Sequence, residues 1–100
     1  MTPDQIALRA IRQRNSALEA LCSTAGKPLY EGRAHRPAQG YKCSVSRQAR
    51  VFRVPDGRII VEGVQIWNAR FRRVNSQYFE ASDETVGQGL ADQFLGREFL

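Results

Sequence analysis

His35 is the only histidine in the chain, so a Ser-His-Asp or Cys-His nucleophilic arrangement would have to be built around it. It stands between Arg33 and Arg36, whose charges oppose its protonation and so its work as a general base. Cys22, His35 and Cys43 are 13 and 8 residues apart. That spacing matches no familiar zinc motif and is one ligand short of a closed tetrahedral site. The adjacent carboxylates Asp83 and Glu84 are better explained as charges at a helix N-terminus than as a general acid/base pair, and no Gly-rich phosphate loop is present. We therefore expect a non-enzymatic protein with no metal and no cofactor.

Arginine offers the most chemistry, supplying thirteen of fifteen basic residues. Guanidinium suits bidentate recognition of phosphate or carboxylate, although a GC-rich genome produces the same bias. Arg50, Arg53, Arg58, Arg70, Arg72 and Arg73 are interleaved with strand-like residues and are expected to project from one sheet face and its rim. Lys27, Arg33 and Arg36 would add contacts from a loop. The net charge is +5 and the pI about 9.9, which favours an anionic partner. The charge is uneven: fourteen basic against five acidic residues up to Ser76, a net of +9, then one against five, a net of −4. RNA, DNA or a nucleoprotein complex is the expected partner, a protein effector alone the alternative, and a solvated outer sheet face the plain explanation. Tyr41, Trp67 and Tyr78 would stack bases if exposed and belong to the core otherwise.

One hundred residues with 42% hydrophobic and 25% charged composition make a single domain, 1–100, the expected organisation. No apolar run near the start resembles a signal peptide and none approaches a membrane span, so a cytoplasmic location without membrane contact is expected. Cys22 and Cys43 are then expected to be reduced.

The elements that must position these residues begin with a helix over 3–25. Thr2 caps it, Pro3 sits at N1, and Gln5 completes a capping box. Ala7, Ile11, Leu18, Leu21, Cys22 and Ala25 form its apolar stripe, Arg14 interrupts it, and a second capping box at Ser16 and Glu19 could split it near residue 15. Gly26 and Pro28 end it. Residues 27–40 read as a loop with a short strand at Leu29–Glu31. The sheet is expected over 41–81. Its first strand changes phase near Gln48-Ala49, as a bulge would make it do. A hairpin follows at Pro55-Asp56-Gly57, then strands at 58–66, at about 69–74 and, after an Asn75-Ser76 turn, at 77–81. A helix over 83–95 follows, with Ser82 as N-cap and Val86, Leu90 and Phe94 on its buried stripe. The expected fold is α+β: an N-terminal helix, an antiparallel sheet of three to five strands, and a C-terminal helix packed on the sheet. Ile11, Leu18, Leu21, Val51, Ile60, Val64, Phe71, Leu90 and Phe94 are its expected core.

Leu18-Glu19-Ala20-Leu21-Cys22, then Gly26-Lys27-Pro28-Leu29-Tyr30-Glu31, a loop holding His35, strands, and a helix opened by Ser82 resemble a double-stranded-RNA-binding domain. The resemblance implies α-β-β-β-α order. In that family a lysine-rich start of the second helix grips phosphates across the major groove. Here that stretch is the acidic Ser82-Asp83-Glu84-Thr85, so the resemblance implies the fold more than the activity. Small, non-catalytic chains of uneven charge are also typical of phage or mobile-element inhibitors of the anti-CRISPR type. Such an inhibitor would act by protein-protein contact on a host nucleoprotein effector, with the acidic 80–98 segment mimicking phosphate charge.

Overall fold

The computed structural model describes residues 2–37 and 44–96. Helix α1 (Pro3–Ser23) leads into strands β1 (Tyr30–Arg36), β2 (Ser44–Arg53), β3 (Ile59–Asn68) and β4 (Arg72–Ala81), and helix α2 (Glu84–Gly96) closes the chain. The strands form one antiparallel sheet in the order β1-β2-β3-β4. The class is α+β, an N-terminal helix, an antiparallel sheet and a C-terminal helix packed on it. Four strands separate the helices, one more than the α-β-β-β-α order contains.

The helices cover opposite faces. Ala49, Val51, Ile59, Val61 and Ala81 bury one face against Ala91 of α2, with Leu90, Phe94 and Leu95 alongside. Phe52, Val54, Ile60 and Tyr78 bury the other face against Leu18 and Cys22 of α1. Successive strand residues point to opposite faces, so strands covered on both sides are apolar at both parities. This explains the phase change expected to be a bulge: β2 pairs without interruption from Ser44 to Arg53. Its outer half is apolar only toward α2, and its inner half is apolar toward both helices.

Several expected boundaries move. Thr2 accepts from the Gln5 amide at 3.2 Å and Gln5 Oε1 from the Thr2 amide at 3.0 Å, and α1 then runs unbroken through Asn15. Splitting it would strand further amide and carbonyl groups at two new ends, which the Ser16-Glu19 signal alone does not offset. Half of the expected loop at 27–40, Tyr30–Arg36, is strand, and 38–40 lie outside the described residues; the strand signal is weak because Tyr30, Gly32 and Ala34, turned toward α2, are small or amphipathic and give no strong apolar alternation. The expected turn at Asn75-Ser76 is mid-strand, paired with Gln65 and Val64; the chain reverses at 69–71 instead. Asp83, not Ser82, caps α2, its Oδ1 accepting the Val86 amide at 2.8 Å. The expected hairpin is present: Gly57 takes φ +92°, the left-handed value that favours glycine, the Val54 amide donates to the Arg58 carbonyl at 3.0 Å and the Gly57 amide to the Val54 carbonyl at 2.9 Å.

The core moves inward from expectation. Leu18, Val51 and Ile60 are buried, and Leu21, Leu90 and Phe94 pack against buried clusters. Val64 is half-buried, Ile11 is 55% exposed and Phe71 74% exposed. Ile11 lies on the N-terminal half of α1, which runs free of the sheet with Ile6 and Leu8 also exposed. Phe71 sits in the β3–β4 turn. Tyr41, Cys43, Phe99 and Leu100, and with them the expected beginning of the sheet at 41, lie outside the described residues.

Candidate functional site

Strand register separates the arginines expected to act together. Arg50, Glu62 and Tyr78 occupy one line across β2, β3 and β4. The Glu62 carboxylate accepts from Arg50 Nε at 2.8 Å and from the Tyr78 hydroxyl at 2.9 Å, and also pairs with Arg50 Nη2. Arg53 meets Glu84 at 3.8 Å, and Arg58 meets Asp56 at 2.8 Å and Glu80 at 3.8 Å. Each of these three guanidiniums has a carboxylate partner, Arg50 against a nearly buried one and Arg53 and Arg58 at the surface. Lys27 lies in the α1–β1 connection, toward the Pro55-Gly57 hairpin end of the sheet. The expectation of one shared arginine face is corrected accordingly.

The opposite end of the sheet is different. Residues 32–36 of β1, 44–49 of β2 and 63–77 of β3, the turn and β4 contain no Asp or Glu, yet they carry six arginines. Arg33, Arg36, Arg70, Arg72 and Arg73 are exposed. Arg33 reaches Glu31, at the margin of this region, only at 3.4 Å with its own side chain 76% exposed. Among the described residues no carboxylate pairs with Arg36, Arg70, Arg72 or Arg73. Arg70 lies over the Phe71 ring at 5.7 Å and Arg73 over Trp67 at 5.9 Å, so two guanidiniums are joined to aromatic surface. Of the nine residues expected to bind, five lie at this end, Arg33 and Arg72 on the α1 side of the sheet, Arg36 and Arg73 on the α2 side and Arg70 in the β3–β4 turn. Arg36, Val45, Trp67 and Arg73 share one register line.

The sixth arginine holds the scaffold. Arg47, buried on the α2 face, donates to the Phe94 carbonyl at 2.9 Å and to Gln65 Oε1 at 3.1 Å and lies over the Phe94 ring. It sets a positive charge on the last turn of α2, where carbonyls lack helical partners and no basic residue of the helix itself stands.

Among the described residues no helix covers the α1 side of this end of the sheet. His35, Ser46, Ile66 and Val74 form one line across four strands, flanked by Arg33, Gln48, Val64 and Ser76. His35 Nδ1 and Ser46 Oγ share a 2.8 Å hydrogen bond. Around them is a depression of about 380 Å³ bordered by Arg33, His35, Ser46, Gln48 and Ile66. Ile66 and Val64 are half-buried and Val74 is 55% exposed, giving an apolar floor between basic edges.

Nucleophilic chemistry finds little support elsewhere. Cys22 is a free, buried thiol beneath α1, held up to about 11 chiefly by burial, with Glu62 adding to the rise and Arg50 opposing it. A thiol that stays protonated is a poor nucleophile. The Tyr78 phenol is likewise raised by burial and by its hydrogen bond to Glu62. Among the described residues no three His, Cys, Asp or Glu side chains cluster as metal ligands, and no helix is long and apolar enough to cross a membrane.

No family model, no curated protein and no solved structure matches this chain. Site residues that sequence reasoning missed are His35, Ser46 and Gln48 as polar groups of the open face, and Phe71 as an exposed ring. The available signal was the absence of acidic residues through 63–77, which becomes a surface property only once the strand pairing is known.

Proposed function

We propose that this chain is a non-catalytic binding protein that engages an anionic nucleic acid, RNA or DNA, free or within a nucleoprotein complex, through the carboxylate-free end of its sheet. The observation that carries this reading is the separation of charge: Arg36, Arg70, Arg72 and Arg73 are exposed with no carboxylate partner among the described residues and Arg33 meets only Glu31, at 3.4 Å, whereas Arg50, Arg53 and Arg58 are engaged by carboxylates. Free guanidiniums recruit phosphates by releasing condensed counterions, and rings beside them add stacking surface.

Fluorescence anisotropy with labelled RNA and DNA across a salt series tests it. Replacing Arg72 and Arg73 together by Ala should weaken binding and flatten its salt dependence, while replacing Arg53 and Arg58 together should leave both nearly unchanged. Affinity independent of salt, or equal loss in the two double variants, would sink direct nucleic-acid binding. A second reading, an inhibitor of the anti-CRISPR type acting by protein-protein contact, draws on the exposed Ile6, Leu8 and Ile11 of α1. Ile6→Ser with Ile11→Ser would then abolish capture of a nucleoprotein effector while sparing oligonucleotide binding.

A further inference from the structure

We infer that the ligand of the carboxylate-free end is a single-stranded nucleic acid, its bases lying on Val64, Ile66 and Val74 and a phosphate seated beside Arg33, His35 and Ser46. This rests on the nucleic-acid reading above and specifies the form of the ligand. The deciding feature is the floor. A duplex keeps its base faces stacked inside and shows a protein phosphates, sugars and groove edges, none of which gains from an apolar sheet surface. A single strand can turn its unstacked bases onto such a surface while its phosphates stay with the cations.

The geometry supplies both requirements together. His35, Ser46, Ile66 and Val74 lie in one register line, about 14 Å from the β1 edge to the β4 edge at the usual strand separation. Arg33 flanks that line on β1 and Arg72 on β4. The depression of about 380 Å³ lies on the β1–β2 side of the floor, on the scale of a small-ligand pocket and larger than a bare phosphate requires. Its polar border carries the His35–Ser46 pair, whose 2.8 Å contact sets the imidazole toward the same side as the hydroxyl, and the Arg33 guanidinium and Gln48 amide, which donate to the Glu31 carboxylate at 3.4 and 2.9 Å, so a phosphate seated here takes these two donors over from Glu31. A strand entering there would anchor one phosphate and carry its next bases across Ile66 and Val74 toward Arg72.

The test uses the full chain with four labelled probes at one fixed salt concentration: oligouridine, oligothymidine, and duplex RNA and duplex DNA of matched length. We expect both single strands to bind at least ~10-fold tighter than either duplex. His35→Ala with Ser46→Ala, and separately Ile66→Ser, should each lower single-strand affinity by about 5-fold or more and leave weak duplex binding unchanged. In the unaltered protein, methyl resonances of Val64, Ile66 and Val74 should shift on addition of oligouridine, a readout independent of how well any variant folds. Duplex binding equal to or tighter than single-strand binding, or unshifted methyls with oligouridine bound, overturns the single-strand inference and leaves the broader reading standing. Binding to none of the four probes overturns that broader reading as well, and capture of a protein partner alone would then identify the end as a protein-docking surface.

Discussion

Arginines that look interchangeable in the sequence hold different energies once folded. Arg50 faces a Glu62 carboxylate whose side chain is only 8% exposed, so removing the guanidinium leaves a nearly buried charge with Tyr78 as its remaining partner. Arg50→Met should lower unfolding free energy by about 3 kcal/mol. Arg58→Met, which breaks pairs at the surface, should cost under about 1 kcal/mol. Urea denaturation of the two variants measures this difference, and equal losses would show that the Glu62 line across the sheet is energetically no different from the surface pairs. The same cluster makes the fold alkali-sensitive. The Cys22 thiol lies above its ordinary value of 9.0, at about 11, in the folded chain, and the Tyr78 phenol is also raised. A raised value means that the native state holds the proton more tightly. Its stabilising contribution is therefore complete below about pH 9 and is lost as pH rises through about 11. Cys22→Ala should lose less stability than the unaltered protein over that window, as urea midpoints at neutral and alkaline pH would show.

The elements differ in how openly they announce themselves. Helix starts and the hairpin were legible because their signals are local: Thr2 and Gln5 exchange hydrogen bonds three residues apart, and Pro55-Asp56-Gly57 needs only its own backbone. The shift of the α2 cap from Ser82 to Asp83 is a one-residue error of the ordinary kind. Asp83→Ala should cost about 1 kcal/mol and Ser82→Ala much less, read by chemical denaturation. Strand ends were poorly legible because β4 is exposed on both faces from Arg72 to Gln77. Its place in the sheet comes from backbone pairing with β3, which leaves no apolar alternation to read. β1 hid for a related reason, since Gly32 offers no side chain to the alternation and leaves its space to Leu95, whose Cδ1 would lie 2.5 Å from a Cβ there and would have to move aside. Helix α1 shows the opposite failure. Its apolar stripe reads as core along its length, but only Leu18 and Cys22 are buried, because the C-terminal half alone lies on the sheet.

At the scale of the described residues, charge runs from a hairpin end of mixed, paired charge to a sheet end whose residues 32–36, 44–49 and 63–77 include arginines and no carboxylate. The polarity seen along the chain, positive to Ser76 and negative afterwards, is not the polarity of the folded surface. Arg50, Arg53 and Arg58 lie in the positive segment but are engaged by Glu62, Glu84, and Asp56 with Glu80. Binding to a single strand on the α1-side floor should therefore be carried by Arg33, Arg70 and Arg72, with a log–log salt slope no steeper than about −2. Arg70→Ala with Arg72→Ala should bring the slope down by about 1.4. A slope unaffected by that double change would place the phosphate contacts elsewhere on the protein.

Composition, turn residues and caps determined by themselves an α+β chain with a helix at each end, because those features depend on neighbours within a few positions. They also determined that arginine would dominate the surface chemistry. Which arginines remain free was decided only by tertiary structure. The antiparallel register sets each residue beside another that is 4 to 24 positions away in the chain, and no local pattern encodes whether that neighbour is a carboxylate. The pairing put Glu62 beside Arg50 and put Ile66, Trp67 and Asn68 beside Val74, Arg73 and Arg72, and in doing so moved the basic surface to one end of the sheet.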